Sequence, residues 1–448
     1  MEVRDPLYGL IDYDSTEEKI IGTSLFQRLR NIKQLALASY VYPGAHHTRF
    51  EHCLGTMHLA GRIAANLEIG PEKRKILRLA ALLHDIGHGP FSHVSEQVLE
   101  KYGAEIVEKH DAENAHELMS ILLIQKHPDI RAILKMKESE EIIQLLKKQK
   151  KRSLDKDIIS GPLDVDKLDY LARDSYFAGV RYGTFDLEKV VDSFVPVKMG
   201  SEGEALGIKE EGVYAVEQLL LAKYHMNAQV YRHRIRRITD AMLVRGITLA
   251  LEDGLLENIF CITDSEDFVK EYARYNDEVL VNEILNKAKG ASLEYYKRIK
   301  ERSLLKEVFC VTIDDRAFPD PIILKNLKEV SGEQMMNIEQ GAAQIFSEGH
   351  NVISQGLVIA DKQSTSNPTF KSPSVKIDSG TIMVLTGASK RELFTSISSV
   401  FRNPSIDPTT ETLHIYLPLD WIESKETRQE YIRKREDTMK QKLEEIVR

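Results

Sequence analysis

The chain has few cysteines and lacks any long apolar run. Its three cysteines, Cys53, Cys261 and Cys310, are odd in number, far apart and never in a CxxC pair, which argues against a disulfide framework and fits a reducing compartment. No apolar stretch approaches the roughly 20 residues of a membrane span, and the amino terminus lacks the basic and apolar segments of a signal peptide. We therefore expect a cytoplasmic protein with no membrane partner.

The chain also lacks an excess of positive charge. Its 61 Lys and Arg residues are outnumbered by 69 Asp and Glu residues, which gives a formal net charge of −8. General attraction to nucleic-acid phosphates needs the opposite sign, so a nucleic-acid partner is not expected. Local basic clusters can still hold a phosphate ligand.

Periodicity divides the 448 residues into two regions. Apolar residues recur at three- and four-residue steps through most of residues 17–302, and Gly-Pro breaks separate the segments, which predicts successive helices. After Arg316, alternating runs such as GTIMVL and TLHIYLPL predict strands. We expect a mainly α fold, with a helical core over residues 1–315 and a smaller α+β region over residues 316–448.

Histidines are concentrated in residues 49–93. This segment opens with RFEH, which ends in His52, and closes with LLHDIGHGPFSH, which contains His84 and Asp85. Neighbouring side chains diverge by about 100° on a helix, so His84 and Asp85 can share one ion only at a helix end. Gly87 supplies such an end, and His52 would come from the preceding antiparallel helix.

A carboxylate from a later helix would complete the metal site, and Asp166 in LDVDKLDY is the best placed candidate. Two imidazoles and two carboxylates suit Fe, Mn, Zn, Ni or Co better than Ca, and Mg is a further candidate. Such a site leaves positions open for water and a phosphate oxygen, which favours catalysis over a structural metal. The alternative, scattered core or surface histidines, fits the joint spacing poorly.

The segment after Asp166 adds polar groups to the same helix face. Asp166, Tyr170 and Asp174 stand at positions i, i+4 and i+8, with Lys167 alongside. One face thus offers a metal-binding carboxylate, an aromatic plate and a second carboxylate. The alternative for Tyr170 is plain core packing.

Longer blocks make the pattern specific. RFEH, HDIGHGPFSH and LDVDKLDYLARD together resemble the HD superfamily of metal-dependent phosphohydrolases. FQRLRNIKQL at 26–35 and YVYPGAHHTRFEH at 40–52 resemble, within it, the deoxynucleoside triphosphate (dNTP) triphosphohydrolases related to the sterile-alpha-motif-and-HD-domain protein. The similarity covers roughly residues 3 to 310, without the sterile alpha motif. In that family the metal ligands fall on His52, His84, Asp85 and Asp166.

The resemblance implies that metal-activated water attacks the α-phosphorus of a dNTP and releases deoxynucleoside and intact triphosphate. His93 is then the candidate acid for the leaving oxygen, Glu96 can hold it charged, and His116 matches another active-site histidine. Mg²⁺ on the triphosphate is a further expected ion. The matched substrate positions are Arg49, His88, Lys167 and Lys223 for phosphate, Tyr170 and Asp174 for the sugar, Gln34 and Leu35 beside sugar and base, and Tyr231 and Arg232 at the base pocket.

Several members of that family assemble through nucleotide effectors bound between subunits, so a homo-oligomer is expected, with a tetramer favoured and a dimer as the alternative. The positions that match two effector pockets are Gln27 and Arg30 in the first and Val41, Tyr42, His233 and Arg234 in the second. The positions that depart from them are Arg4, Gly22, Glu211 and Ala215. A nucleotide effector is therefore a candidate partner, and activation of the GTP type is open.

Two other interpretations remain. One keeps the metal and changes the substrate to a nucleoside monophosphate, a cyclic nucleotide or a nucleic-acid end. The other is a catalytically inert sensor of nucleotides or single-stranded nucleic acid. The complete set of ligand types and the acidic net charge argue against the inert sensor.

Overall fold

The computed structural model describes residues 1–110, 112–148, 152–199, 203–349, 351–365, 381–387, 390–401 and 410–448. The chain forms two compact units, each built from separate stretches of sequence. Unit 1 contains Met1–His233, Leu256–Asn282 and Lys371–Pro404, and unit 2 contains Arg234–Leu255, Glu283–Phe370 and Ser405–Arg448.

Helices dominate the described part of the chain. The helices before residue 233 are α1 Ser15–Ile21, α2 Ser24–Gln27, α3 Arg49–Asn66, α4 Pro71–Leu83, α5 His93–Lys109, α6 Ala115–Lys126, α7 Pro128–Ile133, α8 Met136–Leu146, α9 Leu154–Ser160, α10 Val165–Ala178, α11 Leu187–Ser193 and α12 Val213–Met226. The later helices are α13 Arg234–Glu252, α14 Glu257–Phe260, α15 Glu266–Tyr272, α16 Asp277–Lys287, α17 Gly290–Lys300, α18 Pro321–Lys328, α19 Gly332–Phe346, α20 Phe394–Ile397 and α21 Lys425–Val447.

The strands form three small sheets. They are β1 Glu2–Asp5, β2 Gly9–Asp12, β3 Phe194–Lys198, β4 Glu204–Lys209, β5 Lys306–Thr312, β6 Ile359–Thr365, β7 Met383–Thr386, β8 Lys390–Leu393 and β9 Thr410–Leu417. β1 and β2 pair as a hairpin, β3-β4-β7-β8 form a mixed sheet in unit 1, and β5-β9-β6 form an antiparallel sheet in unit 2. The mainly α fold class with smaller sheets toward the carboxyl end is therefore confirmed.

The centre of unit 1 is α3, which packs against α4 and α10. α3 starts where the Glu51 carboxylate accepts a 3.0 Å hydrogen bond from the Thr48 backbone N–H, which satisfies one of the free donors of a helix start. α10 starts where Asp164 accepts from the Lys167 backbone N–H at 2.8 Å. It ends at Gly179, whose φ of +69° is a left-handed conformation that glycine adopts easily.

Unit 2 has its own apolar core. One face of the β5-β9-β6 sheet contributes Leu413, Ile415 and Leu417, and α19 and α21 contribute further buried residues such as Ile338 and Leu443. Alternate residues of a strand point to opposite faces, so the other face of this sheet is available for polar groups.

The two units are interleaved along the chain and do not follow a division at residue 315. Parallel pairing of β4 with β7 brings Met383 beside Gly207 within unit 1, and α13 packs with α17 within unit 2. The division into residues 1–315 and 316–448 stays a prediction about domain organisation. None of the helices in the described ranges combines the length and the apolar character that a bilayer crossing requires.

Gly55 on α3 allows the closest approach of α10, so we expect Gly55→Ala to destabilise the fold. A β-carbon at Gly55 would lie 1.9 Å from Asp169 Oδ1 and 2.5 Å from Arg173 Nη2. Both side chains are buried, so relief requires a shift that costs about 1–3 kcal/mol. Thermal unfolding measures the loss. Gly70→Ala is the control, because a β-carbon there meets nothing within 4 Å, and equal melting temperatures of the two variants would contradict the expectation.

Candidate active site

The four expected metal ligands converge in unit 1. The Nε2 atom of His52 lies 3.3 Å from Asp85 Oδ2 and 3.1 Å from Asp166 Oδ1. The Nε2 atom of His84 lies 3.2 Å from Asp85 Oδ1 and 3.7 Å from Asp166 Oδ1. His52 comes from α3, His84 and Asp85 follow the end of α4, and Asp166 lies in the first turn of α10.

The chemistry of these donors fits a divalent cation. The other ring nitrogen of His52 lies 2.8 Å from the Asp169 carboxylate, and that of His84 lies 2.7 Å from the Ala81 carbonyl oxygen. Both oxygens only accept, so each Nδ1 carries a proton, and Nε2 is the nitrogen whose lone pair each ring would give to a cation. Both Nε2 atoms are buried without a hydrogen-bond partner in the described part of the chain. Ligands about 2.1 Å from one ion lie about 3 Å apart, as these groups do.

Electrostatics also favour positive charge at this point. Burial lowers the pKa of His52, but the nearby carboxylates of Asp166, Asp169 and Asp85 outweigh it and raise the pKa well above its ordinary value. Burial raises the pKa of Asp166, yet His52 and His84 hold it well below the ordinary value. The carboxylates therefore stay ionised, and a bound cation can take the place of a ring proton.

Asp169 fixes the first imidazole although the sequence did not single it out. Its Oδ2 accepts from His52 Nδ1 and from Arg173 Nε, both at 2.8 Å. Its Oδ1 accepts from Arg173 Nη2 at 2.9 Å and from the Tyr8 hydroxyl at 2.8 Å. Arg173 in turn donates to Asp5 at 2.8 Å. Both carboxylate oxygens are thus fully used, which orients the His52 ring.

Arg49 contacts the metal cluster directly. Its Nη1 donates to Asp85 Oδ2, and its Nε donates to Ser92 Oγ at 3.0 Å. Burial raises the pKa of Asp85, but the nearby charges of Arg49 and His84 bring it well below the ordinary value. Arg49, which we expect to bind phosphate, therefore also neutralises the buried carboxylate of Asp85. Its Nη2 lies 3.4 Å from His93 Nε2.

The expected acid-base residues form a second cluster. Glu96 accepts from His93 Nδ1 at 2.8 Å and from His116 Nδ1. The His88 ring stacks on the His116 ring with centroids 4.1 Å apart. Burial lowers the pKa of His88 well below its ordinary value, and Arg49 lowers it further. His88 is therefore neutral, whereas Glu96 raises the pKa of His116 against the effect of burial.

The expected sugar-binding residues meet near the end of α10. Asp174 accepts from the Tyr231 hydroxyl at 2.7 Å, and its other oxygen lies 2.7 Å from His47 Nε2. The Tyr170 and Tyr231 rings contact edge to face with centroids 6.2 Å apart. Tyr231 ends a π-helical turn, Asn227–Tyr231, that follows α12, and such turns are frequent at functional sites. His47 is fully buried and stacks on Phe177.

The remaining expected substrate residues differ in their burial and in the hydrogen bonds that they make within the protein. Lys167 Nζ donates to the Gly161 carbonyl at 3.0 Å and to the Asp164 carboxylate. It therefore neutralises the charge of Asp164 at the start of its own helix, α10. Burial lowers the pKa of Lys223 to about 8, and the charge of Lys167 adds to the effect. Gln34 is buried, and its backbone N–H donates to the His47 carbonyl at 3.1 Å. Leu35 beside it is buried as well, and Arg232 caps the π-helical turn.

A strained turn precedes α5. Phe91 and Ser92 have φ values of +58° and +54°. Residues other than glycine adopt such values at a cost in conformational energy, and they do so often at functional sites. Asp277 holds this turn by accepting from the Phe91 N–H at 2.6 Å and from the Lys33 N–H at 3.1 Å. Ser92 Oγ donates to the Lys33 carbonyl at 2.8 Å. Burial raises the pKa of Asp277 to about 6.

The expected effector residues make contacts within unit 1 that leave their role a prediction. Gln27 Oε1 accepts from Arg30 Nε at 2.8 Å, and the Arg30 guanidinium lies 3.5 Å from the Phe50 ring centroid. The Tyr42 hydroxyl donates to the Gln229 carbonyl at 2.9 Å, and its ring lies 6.0 Å from that of His233. The other members are Val41, next to Tyr42, and Arg234, the first residue of α13 in unit 2.

Sequence reasoning missed three buried residues that support the site: Asp169, His47 and Asp277. Asp169 lies three residues after Asp166, which is a usable signal, but the metal site needed one carboxylate from this helix and Asp166 was the candidate chosen. His47 is one of two adjacent histidines in GAHHT. Asp277 gave no signal, since it lies 244 residues from its partner Lys33.

Comparison with protein families agrees with this geometry. The HD domain matches residues 49–174, and the HD-associated region matches residues 186–390. The chain therefore belongs to the HD-domain family of phosphohydrolases. Within this family, its relatives include proteins named as dNTP triphosphohydrolases.

An uncharacterised protein of Methanocaldococcus jannaschii is 35% identical over 337 residues, which cover 75% of this chain and 65% of the relative. The deoxynucleoside triphosphate triphosphohydrolase SAMHD1 homolog of Dictyostelium discoideum is 30% identical over 68% of this chain and 59% of its own length. Human SAMHD1 is 28% identical over 68% and 54%. The chain thus spans less than two thirds of the length of these curated relatives.

Solved structures share the fold. A phosphohydrolase of Bacteroides thetaiotaomicron superposes with a TM-score of 0.70 at 22% identity, covering 93% of this chain and 99% of that one. A hypothetical protein of Aquifex aeolicus superposes with a TM-score of 0.68 at 24% identity, covering 99% of both. At these identities the similarity establishes the fold alone.

Replacing the carboxylate that orients His52 should weaken metal binding. In Asp169→Asn, the amide keeps the shape but not the charge that holds the His52 proton on Nδ1, so we expect Mn²⁺ affinity to fall about 10- to 100-fold. Calorimetric titration with Mn²⁺ measures the change. Tyr8→Phe is the matched control, since it removes one hydrogen bond to Asp169 Oδ1 and leaves the contact between Asp169 Oδ2 and the His52 ring intact. Unchanged affinity in Asp169→Asn would remove Asp169 from this role.

Proposed function

We propose that this chain is a metal-dependent dNTP triphosphohydrolase that releases deoxynucleoside and inorganic triphosphate. The observation that carries the proposal lies on α10. Asp166 at its start meets His52 and His84, and Asp174 two turns later meets Tyr231. One rigid helix thus carries both a group suited to the metal and a group suited to a sugar hydroxyl. It fixes the spacing between the place for the phosphate and the place for the sugar.

His52, His84, Asp85 and Asp166 would hold the divalent ion, for which Fe, Mn, Zn, Ni, Co and Mg are candidates. When bound, it supplies Lewis acidity toward a phosphoryl oxygen and a lowered pKa for water. The protein's part is to orient the two imidazoles. Asp169 and the Ala81 carbonyl do so by holding each ring proton on Nδ1.

The proton for the leaving 5′ oxygen would come from His93. Glu96 holds the Nδ1 proton of this ring at 2.8 Å and leaves Nε2 for exchange. The side chain is 57% exposed, so a bound nucleotide can reach it. Glu96 also holds His116, and the hydrogen bonds to both rings keep the Glu96 pKa well below its ordinary value despite burial.

Phosphate binding would rely on hydrogen-bond donors that differ in charge and geometry. Arg49 is buried beside Asp85 and can donate to an α-phosphate oxygen next to the metal. Neutral His88 can donate one hydrogen bond to a phosphate oxygen without adding charge. Lys167 and Lys223 would act as point charges on the outer phosphates, because a lysine lacks the two-pronged geometry of arginine.

Sugar recognition would rest on Asp174, Tyr170 and Tyr231. Asp174 is an acceptor for the 3′ hydroxyl, and Tyr170 would pack where a 2′ hydroxyl would stand. Gln34, Leu35 and Arg232 complete the proposed sugar and base pocket. A nucleotide effector at the predicted pockets and assembly into a tetramer or dimer belong to the same proposal, as does a cytoplasmic location.

The decisive experiment is product analysis. Incubation with each dNTP, several divalent metals, and GTP present or absent should yield deoxynucleoside and inorganic triphosphate. Asp166→Ala should lower turnover by at least about 1000-fold, since it removes a metal ligand. Release of monophosphate and pyrophosphate, or hydrolysis only of cyclic nucleotides or nucleic-acid ends, would favour another HD phosphohydrolase. Binding without turnover under all metals would indicate the inert sensor.

The depressed pKa of Lys223 predicts how substrate affinity depends on pH. Below a pKa of about 8 the ammonium is charged, and as pH rises through this value the charge is lost. We therefore expect KM for dNTP to rise several-fold between about pH 7 and about pH 9.5, while kcat changes less. Arginine stays charged over this range.

The matched variant for this prediction is Lys223→Arg, and the quantity to compare is the ratio of its KM to that of the parent at each pH. The ratio cancels the titration of the substrate and of other groups. It should fall as pH rises. A ratio that does not change with pH would show that Lys223 carries no titrating contact to the triphosphate.

A further inference from the structure

We propose that Glu307, Cys310 and His414 of unit 2 form a binding site for a thiophilic divalent cation such as Zn²⁺. A carboxylate oxygen, a thiol sulfur and an imidazole nitrogen of these residues lie within 4.8 Å of one another. The cluster is independent of the HD site, because all three residues belong to unit 2.

The backbone of the β5-β9-β6 sheet brings the three side chains to one face. Cys310 pairs with His414 and Glu307 pairs with Tyr416 on the neighbouring strand. Glu307 and Cys310 are three residues apart, so a regular strand would point them to opposite faces. A bulge between Glu307 and Phe309 inserts one extra residue and restores them to the same face. Bulges commonly re-aim side chains in this way next to functional sites.

His414 is held in place on this polar face. Its side chain is 2% exposed, and its ring stacks on that of Tyr416 with centroids 5.9 Å apart and an angle of 10° between the planes. Nδ1 lies 3.0 Å from Glu307 Oε2, and Nε2 lies 4.0 Å from Cys310 Sγ. One ion can use only one nitrogen of the ring. A cation on Nε2 would have Cys310 as its neighbour and would draw Glu307 away from Nδ1, within the 4.8 Å that separates the three ligand atoms.

Charge and ligand type both select zinc-like ions. A thiolate, a carboxylate and an imidazole are the ligands that Zn²⁺ takes in proteins. Loss of the Cys310 proton on binding would give two negative ligands, which balance a divalent charge. Asp361 lies opposite His414 on β6. Its negative charge and the positive charge of Arg237 would offset each other near the cluster.

Arg237 occupies the position that the cation would compete for. Its Nη1 lies 3.0 Å from His414 Nε2 and 3.3 Å from Gln363 Oε1. A cation that uses Nε2 must displace this guanidinium, which can keep its bond to Gln363. The neutral variant Arg237→Gln should therefore bind the cation more tightly than the parent.

Cobalt substitution tests the site in the full-length chain. Bound to a thiolate, Co²⁺ gives a charge-transfer absorption in the near ultraviolet that histidine and carboxylate ligands do not produce. We expect this absorption in the parent and in Asp166→Ala, and its loss in Cys310→Ser. Cys261→Ser, which changes another exposed cysteine, is the matched control and should retain it.

Two further measurements keep the test decisive. Elemental analysis after zinc loading should find one equivalent less in Cys310→Ser than in the parent. Glu307→Gln, which keeps the side-chain shape, should weaken cobalt binding at least about tenfold, with folding of each variant checked by circular dichroism. Absence of a Cys310-dependent absorption in the parent, or equal zinc content in Cys310→Ser, would overturn the proposal.

Discussion

The hydrogen bonds of the buried Asp169 carboxylate are the interactions on which unit 1 depends. The carboxylate joins α10 to α3 through His52, to the amino-terminal hairpin through Tyr8, and to its own helix through Arg173. An unpaired buried carboxylate would be costly, whereas one with four donors is stable and rigid. The absence of a side chain at Gly55 is what lets it approach α3. Core packing therefore sets the geometry of the candidate metal ligands.

Buried arginines complete this arrangement. Several carboxylates within a few ångströms would repel one another, and two guanidiniums offset their charges. Arg49 neutralises Asp85, and Arg173 neutralises Asp169 and Asp5. Burial raises the pKa of Asp169, but Arg173 and His52 bring it to about 2. The carboxylates thus stay ionised at neutral pH, so the ligand set can be assembled before the ion arrives.

The parts of the fold that sequence predicts are those fixed by local pattern. One of the helices expected within residues 17–302 is α3 Arg49–Asn66, because apolar spacing and the Thr48–Glu51 cap are both local. Interleaving of the units could not be predicted, since it depends on pairing of Gly207 with Met383 far along the chain. The same holds for Cys310 and His414, 104 residues apart. Ligand motifs were readable, whereas the residues that orient the ligands required tertiary structure.

The two candidate metal clusters differ in chemistry, so a mixture of ions would distribute unequally between them. The HD cluster offers imidazole and carboxylate with open positions, which suits ions that exchange water and bind phosphate. The unit 2 cluster offers a thiol, which Mn²⁺ and Mg²⁺ bind poorly and Zn²⁺ binds well. Zinc can also occupy an imidazole-carboxylate site. The thiol of Cys310 would draw zinc to unit 2 first, and this selectivity would leave the HD cluster to the harder ions that favour phosphate chemistry.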